Sequence, residues 1–166
     1  MSVKWAVTEE GSVVIKQATI FDLKSFPKLF REWALNNKYK FNETDFTEKV
    51  KGDGREYTIK YEFKRKITPF IRAIIKLDIW ILRVNDVKVK DKMLQKGQLQ
   101  IVFDSYIEYD WQEQFESNPL YKLFRYIYIY YLKKQYFLDY AGKIWSDTYS
   151  LHAKLKTHLH QMVFLE

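Results

Sequence analysis

Residues 117–160 read SNPLYKLFRYIYIYYLKKQYFLDYAGKIWSDTYSLHAKLKTHLH, and this stretch decides how the chain folds. Asn118 is a good helix N-cap, and Pro119 suits the first helical position. Apolar residues then recur in steps near three and four, which predicts one long amphipathic helix ending at about His160. The stripe consists of Leu120, Leu123, Phe124, Ile127, Tyr131, Leu138, Ala141, Trp145, Leu155 and Leu159.

A straight helix of this length would outgrow a small sheet. About forty residues at 1.5 Å each span roughly 60 Å, so a bend or break is expected. Gly142 is its expected position, because glycine is a weak helix former. We also expect Phe124, Ile127 and Tyr131 to be buried against the sheet.

Three earlier segments alternate apolar and polar residues, as strands with one solvated face do. Because their apolar residues share odd-numbered positions, they predict an antiparallel sheet including residues 55–63, 71–84 and 98–110, with the long helix packed across its apolar face. Thr68-Pro69 predicts a break between the first two strands, since proline cannot donate to the ladder. Residues 85–96 are polar and lysine-rich, which predicts a connection.

Before these strands, the sequence predicts a hairpin and a short helix. Residues 3–7 and 13–20 alternate in polarity, and a turn at residues 9–12 would pair them as an opening hairpin. Residues 22–36 then carry apolar side chains at helical spacing, with Pro27 in the first turn. The apolar face of that helix is Phe26, Leu29, Phe30 and Trp33.

This order of elements resembles the START-like, or helix-grip, superfamily. In that fold a curved antiparallel sheet wraps a long C-terminal helix, and the resemblance rests on element order and length over most of the chain. It implies an α+β fold in which a curved antiparallel sheet packs on a long C-terminal helix, as one START-like domain over residues 1–166. It also implies a gap between sheet and helix, which in START-like proteins commonly holds lipids, sterols or other apolar small molecules.

The inward faces of the strands and one side of the helix supply the walls that such a gap needs. They combine apolar surface with a few hydroxyls, which suits a hydrophobic or amphipathic, lipid-like ligand. Solid packing of the same large side chains is the alternative. The predicted lining residues are Tyr57, Ile59, Tyr61, Ile75, Leu77, Ile79, Phe103 and Ile107 from the strands and Tyr128, Tyr131 and Trp145 from the helix.

The positive net charge favours a second class of partner. The net charge of +7 favours anionic partners, either nucleic acid or an anionic membrane surface. Basic residues interleaved with aromatics along these strands suit both partners, because bases stack on aromatics and phosphates meet cations. Alternation, however, puts Lys60, Lys64 and Lys66 on the face opposite Tyr61 and Phe63. A solvated sheet face protected by lysines is the structural alternative. The candidate residues are Lys60, Lys64, Arg65, Lys66 and Arg72.

Composition and motifs argue against several other classes. The chain has no cysteine, which excludes a disulfide scaffold, a thiolate metal site and a cysteine nucleophile. His158 and His160 would lie on different faces of a helix, so we expect no metal site. Asp78 and Glu108 fall on the polar faces of their strands, beside Arg72 and Lys76, which favours a cross-strand ion pair over an acid or base.

No sequence motif for an active site or a nucleotide loop is found, so the sequence favours a binding protein over an enzyme, without a cofactor. Residues 1–8 lack the apolar core of a signal peptide, which favours a cytoplasmic protein. The most apolar run, residues 67–84, contains four charges, which argues against a transmembrane segment. Three hypotheses remain: a binding module for an apolar ligand, a nucleic-acid-binding protein, and an interaction domain with a filled core.

Overall fold

The computed structural model describes residues 2–113, 119–132 and 134–163. It has an α+β fold in which a six-stranded, open antiparallel sheet packs against a long C-terminal helix. This confirms the predicted fold class. The strands are β1 (Val3–Ala6), β2 (Val13–Phe21), β3 (Lys40–Lys51), β4 (Gly54–Lys66), β5 (Ile71–Val89) and β6 (Lys92–Tyr109), and the α-helices are α1 (Ser25–Asn36), α2 (Pro119–Ile127) and α3 (Lys134–Val163).

The sheet runs in the order β6, β5, β4, β3, and both β1 and β2 pair with β6 at its other edge. The predicted opening hairpin is therefore wrong, because β1 pairs with the end of β6 and β2 with its beginning and middle. The link between them stays attached to the same strand. The Val7 amide donates to the Ser105 carbonyl at 2.8 Å, and the Ser105 amide donates to Thr8 Oγ1 at 3.0 Å. β1 and β2 therefore run in the same direction along β6 and do not form a hairpin with each other.

The three strands predicted from parity are confirmed as antiparallel neighbours. The polar connection predicted at residues 85–96 is wrong, because β5 and β6 continue there as a ribbon. Lys90 and Asp91 close this ribbon with φ values of 44° and 67°, the backbone region of a type I′ hairpin turn. Since much of this ribbon is exposed, its polar composition gave no strand signal.

The concave face of the curved sheet is covered by two helices. Helix α3 lies against β2 and β6, while α1 lies over β3. From α1, Phe30 places its ring 5.0 Å from that of Tyr61 and 5.9 Å from that of Phe63, and Trp33 packs edge-on against Phe63. From α3 the buried residues are Ile144, Thr148, Leu151, Leu155 and Leu159.

The C-terminal helix is interrupted, but not at Gly142, so that prediction is wrong. A π-helical turn at Tyr128–Leu132 follows α2, whereas Gly142 is exposed within α3. The stripe of buried residues that begins at Ile144 outweighs the cost of about 1 kcal/mol that glycine imposes on a helix. The predicted cap Asn118 lies outside the described residues.

Candidate functional site

The sheet residues predicted to line a pocket all point into the core. Each is at most 6% exposed. The aromatic side chains of α1 meet several of them directly, so the space above β4 is occupied by protein. These residues are Tyr57, Ile59, Tyr61, Ile75, Leu77, Ile79, Phe103 and Ile107.

The helical residues predicted to line the same pocket lie elsewhere. Tyr128 is half-buried with its ring edge-on to Phe70, at the end of the sheet where β5 begins. Tyr131 and Trp145 are 77% and 49% exposed, and the ring of Trp145 packs against Tyr149 on the same helix. The structure therefore does not gather these three with the inward-facing strand residues.

Three surface grooves lie away from the predicted pocket between the sheet and α3. One of about 660 Å³ runs between α1 and the edge strand β3. One of about 350 Å³ lies on the sheet face opposite the helices, beside Trp80, and one of about 260 Å³ lies around Lys60 and Asp78. A ligand cavity between the sheet and α3 stays a prediction.

The basic residues of β4 and β5 are largely engaged with neighbours. Lys64 pairs with Glu62 at 2.7 Å, and Arg72 pairs with Glu108. Lys66 and Arg72 also lie over the ring of Trp111, at 4.6 Å and 5.0 Å from its centre. Lys60 is exposed.

Arg65 stabilises the junction of β4, α1 and α3. Its guanidinium lies 2.9 Å from Asp147 Oδ2 and stacks 4.6 Å from the centre of the Tyr39 ring. The Tyr39 hydroxyl donates to the same carboxylate at 2.9 Å. Burial raises the pKa of this phenol, and the Asp147 carboxylate adds to the rise against the effect of Arg65. With its charge already matched inside the protein, Arg65 is poorly suited to an external anion.

Glu108 forms the ion pair expected from its position on the polar strand face. Burial opposes its charge, but hydrogen bonds from Ser2 Oγ at 2.8 Å and from Arg72 Nε at 2.7 Å outweigh this effect. The pKa of the carboxyl is therefore lowered. Asp78 lies opposite Lys60 in the register of β4 and β5. Both positions fit a structural role.

Residues 119–132, which we call the aromatic segment, carry many exposed apolar side chains. Eight of the segment's large apolar side chains are between 43% and 77% exposed. The expectation that Phe124, Ile127 and Tyr131 are buried is therefore wrong. The exposed side chains are Leu120, Tyr121, Leu123, Phe124, Tyr126, Ile127, Tyr130 and Tyr131.

The aromatic segment meets the body through a few inward side chains. Arg125 is the buried residue of α2, and its Nη1 lies 3.5 Å from Oδ2 of Asp110, just after β6. Tyr128 adds the contact with Phe70. The spacing of apolar residues could not reveal this orientation, since α2 places a charged residue inward and its apolar residues outward.

The charge pattern of this region is one-sided. Residues 119–138 contain four basic residues, Lys122, Arg125, Lys133 and Lys134, and no acidic residue. The exposed apolar surface continues onto α3, where Tyr136 and Leu138 are more than half exposed. Sequence inspection can detect this feature as a run of aromatic residues free of carboxylates.

The histidines of α3 are packed separately. His158 Nε2 lies 2.8 Å from Ser25 Oγ, and its ring is edge-on to Phe26. His152 packs edge-on against Phe103. Burial lowers the pKa of both imidazoles. Within the described residues, no group of three or more metal-binding side chains is found.

No family model matches the chain, and no curated protein or solved structure does either. Among the described helices, none is both long and apolar enough to cross a membrane. The arrangement of a curved antiparallel sheet with a C-terminal helix is compatible with a helix-grip fold.

Proposed function

We propose that this protein binds an anionic lipid surface through its aromatic segment. The observation that carries the proposal is the exposure of eight large apolar side chains over 119–132, in a region with basic but no acidic residues. Exposed apolar patches of this kind mark interaction sites. An interfacial helix gains affinity both from the burial of apolar side chains and from the attraction of cations to anionic headgroups.

The side-chain types favour lipid over nucleic acid. Tyrosine, the commonest aromatic here, places its ring at the headgroup level of a bilayer and keeps its hydroxyl in water. Leu120, Leu123 and Ile127 have no ring on which a base could stack, yet they are exposed beside the aromatics. Their burial in acyl chains is favourable, whereas a nucleic-acid strand would leave them in water.

Membership of the START-like superfamily and a lipid-like ligand between sheet and α3 form a second proposal. It is supported by the curved sheet with its C-terminal helix. Since α1 fills the space above β4, we expect such a ligand to enter only if α1 moves outward. Native mass spectrometry of the purified protein tests this proposal, and a co-purified small molecule of constant mass is the supporting result.

Vesicle binding tests the lipid-surface proposal. We expect the protein to co-sediment with vesicles of phosphatidylcholine mixed with phosphatidylglycerol, and more weakly with phosphatidylcholine alone. Leu123→Asn combined with Phe124→Asn should weaken binding at least about tenfold, because two side chains that would be buried in the acyl chains are no longer apolar. Lys122→Gln should weaken binding to the anionic vesicles roughly fivefold, at about 1 kcal/mol per cation.

The matched control is Leu35→Asn combined with Val50→Asn. These residues are also exposed and apolar, at 72% and 79%, but they lie on α1 and β3. The control should bind vesicles like the wild type. Absence of binding to anionic vesicles at low salt would exclude the proposal. A second result would also exclude it: analytical ultracentrifugation shows a dimer that the Leu123 and Phe124 substitutions dissociate, and the protein binds no vesicles.

A further inference from the structure

The sheet face opposite the helices carries a second candidate site, separate from the aromatic segment. Trp80 of β5 lies opposite Gln100 of β6, and Gln100 lies opposite Lys16 of β2. This row places an indole, an amide and an ammonium side by side across three strands. Trp80 and Gln100 are partly exposed, and Lys16 is exposed.

The next row of the sheet leaves room for a groove. Leu82 lies opposite Gln98, and Gln98 lies opposite Ala18, whose side chain is only a methyl group. The two rows line the groove of about 350 Å³. This volume falls at the lower end of the range of about 300–1,000 Å³ that holds small molecules.

A close approach of strands fixes one end of this groove. At Gly97, an added Cβ would lie 2.9 Å from the carbonyl oxygen of Leu82, so no larger residue fits there without movement. Arg83, with φ of 54°, forms the bulge that interrupts the register of β5 on β6. This close approach and the bulge lie next to Leu82 and Gln98, which line the groove.

Trp80 differs from the other tryptophans of the chain. Trp5, Trp33 and Trp145 each pack against another aromatic ring, and Trp111 lies under two cations. Within the described part of the chain, the ring of Trp80 has no such neighbour. Because Trp80 is partly exposed and lines the groove, its indole can meet a planar ligand there, and Lys16 forms no ion pair with any described residue.

We propose that this groove binds a nucleotide unit, with the base stacked on Trp80 and the phosphate next to Lys16. Gln98 and Gln100 supply amides, which both donate to and accept from the polar edge of a base. The residues that line the groove include no carboxylate to repel a phosphate. Base stacking on an aromatic combined with a nearby cation is the usual arrangement for single strands on a sheet.

Free nucleotides and single strands share this chemistry, and the experiment separates them. Isothermal titration calorimetry is carried out with adenosine and uridine monophosphates, and fluorescence anisotropy with labelled ten-nucleotide RNA and DNA strands. Binding of either class with dependence on Trp80 supports the proposal and names the source. Trp80→Ala should weaken binding roughly 5- to 150-fold, the range expected for one stacked base.

Further variants test the role of each group. Trp80→Phe keeps a stacking face and should retain most of the affinity, which also controls for misfolding. Lys16→Gln should lower the salt slope for a single strand by about 0.7, the value for one lost phosphate contact. Trp145→Ala removes another half-exposed tryptophan and should change nothing.

Two results would overturn the assignment. The first is no binding of nucleotide or strand at low salt. The second is binding that Trp80→Ala leaves unaffected. If the groove binds a neutral oligosaccharide but no nucleotide or strand, the first of these results applies. The Leu123 and Phe124 double variant separates the two proposals, because loss of vesicle binding should leave nucleotide binding unchanged.

Discussion

Phe30 and Phe124 are the same side chain in opposite surroundings. Phe30 is fully buried among Phe41, Tyr61 and Phe63, whereas Phe124 is 57% exposed. Phe30→Ala should lower the free energy of unfolding by about 3–5 kcal/mol, because it removes buried surface and leaves a cavity. Phe124→Ala should cost under about 1 kcal/mol. Urea unfolding of both variants measures this contrast, and similar losses would contradict the described orientation of α2.

The half-buried histidines His152 and His158 make stability depend on pH. Burial lowers the pKa of His158 and His152 in the folded protein, so the unfolded chain, with a pKa near 6.5, takes up protons first as the pH falls. Their contribution to stability is complete above pH 6.5 and is lost below it.

The melting temperature should therefore fall between pH 7.5 and pH 5.5. His158→Gln should reduce that fall, because an amide facing Ser25 does not titrate in this range. His160→Gln changes an exposed histidine of the same helix and is the control. An equal fall in the wild type and in His158→Gln would remove His158 from the explanation.

At the scale of the element, α2 depends on the charged contact beneath it. The side chains of Arg125 and Asp110 are only 7% and 0% exposed, so loss of the cation leaves a buried carboxylate without that partner. Arg125→Ala should release the aromatic segment and speed amide hydrogen exchange over 119–132, with little change in β5 and β6. Lys122→Ala, which alters an exposed cation on the same helix, should leave exchange unchanged. Protection that survives Arg125→Ala would show that other contacts hold α2.

The elements differ in how well their sequences predicted them. Strands β4 and β6 and the first part of β5 have one buried face, so alternation located them and their pairing. The ribbon beyond Val84 is mostly exposed, and its sequence carries little of that signal. The apolar stripe of the C-terminal helix was predicted, but the side of α2 that faces the sheet was not. That side carries Arg125, whose partner Asp110 is distant in sequence.

At the scale of the whole molecule, the sequence predicted a curved sheet against a long helix but not what fills the space between them. Alternation and spacing show which residues turn inward, and they contain no information on how closely two inward faces meet. Here α1 supplies Phe26, Phe30 and Trp33 to that space, each at most 2% exposed. The strand residues among the pocket candidates face inward as expected, whereas Tyr131 and Trp145 are exposed. How much room remains for a ligand depends on the position of α1, which the spacing of residues does not contain.

That choice leads to a prediction for the whole molecule. If α1 fills the space that a helix-grip protein leaves for its ligand, Phe30→Ala should open a cavity lined by Phe41, Tyr61 and Phe63. Dry apolar cavities bind small apolar molecules, so benzene should raise the melting temperature of Phe30→Ala and leave the wild type unchanged. Phe124→Ala, which removes an exposed ring, should show no rise. A benzene-dependent rise in the wild type would instead reveal an existing cavity and favour a lipid-like ligand between sheet and α3.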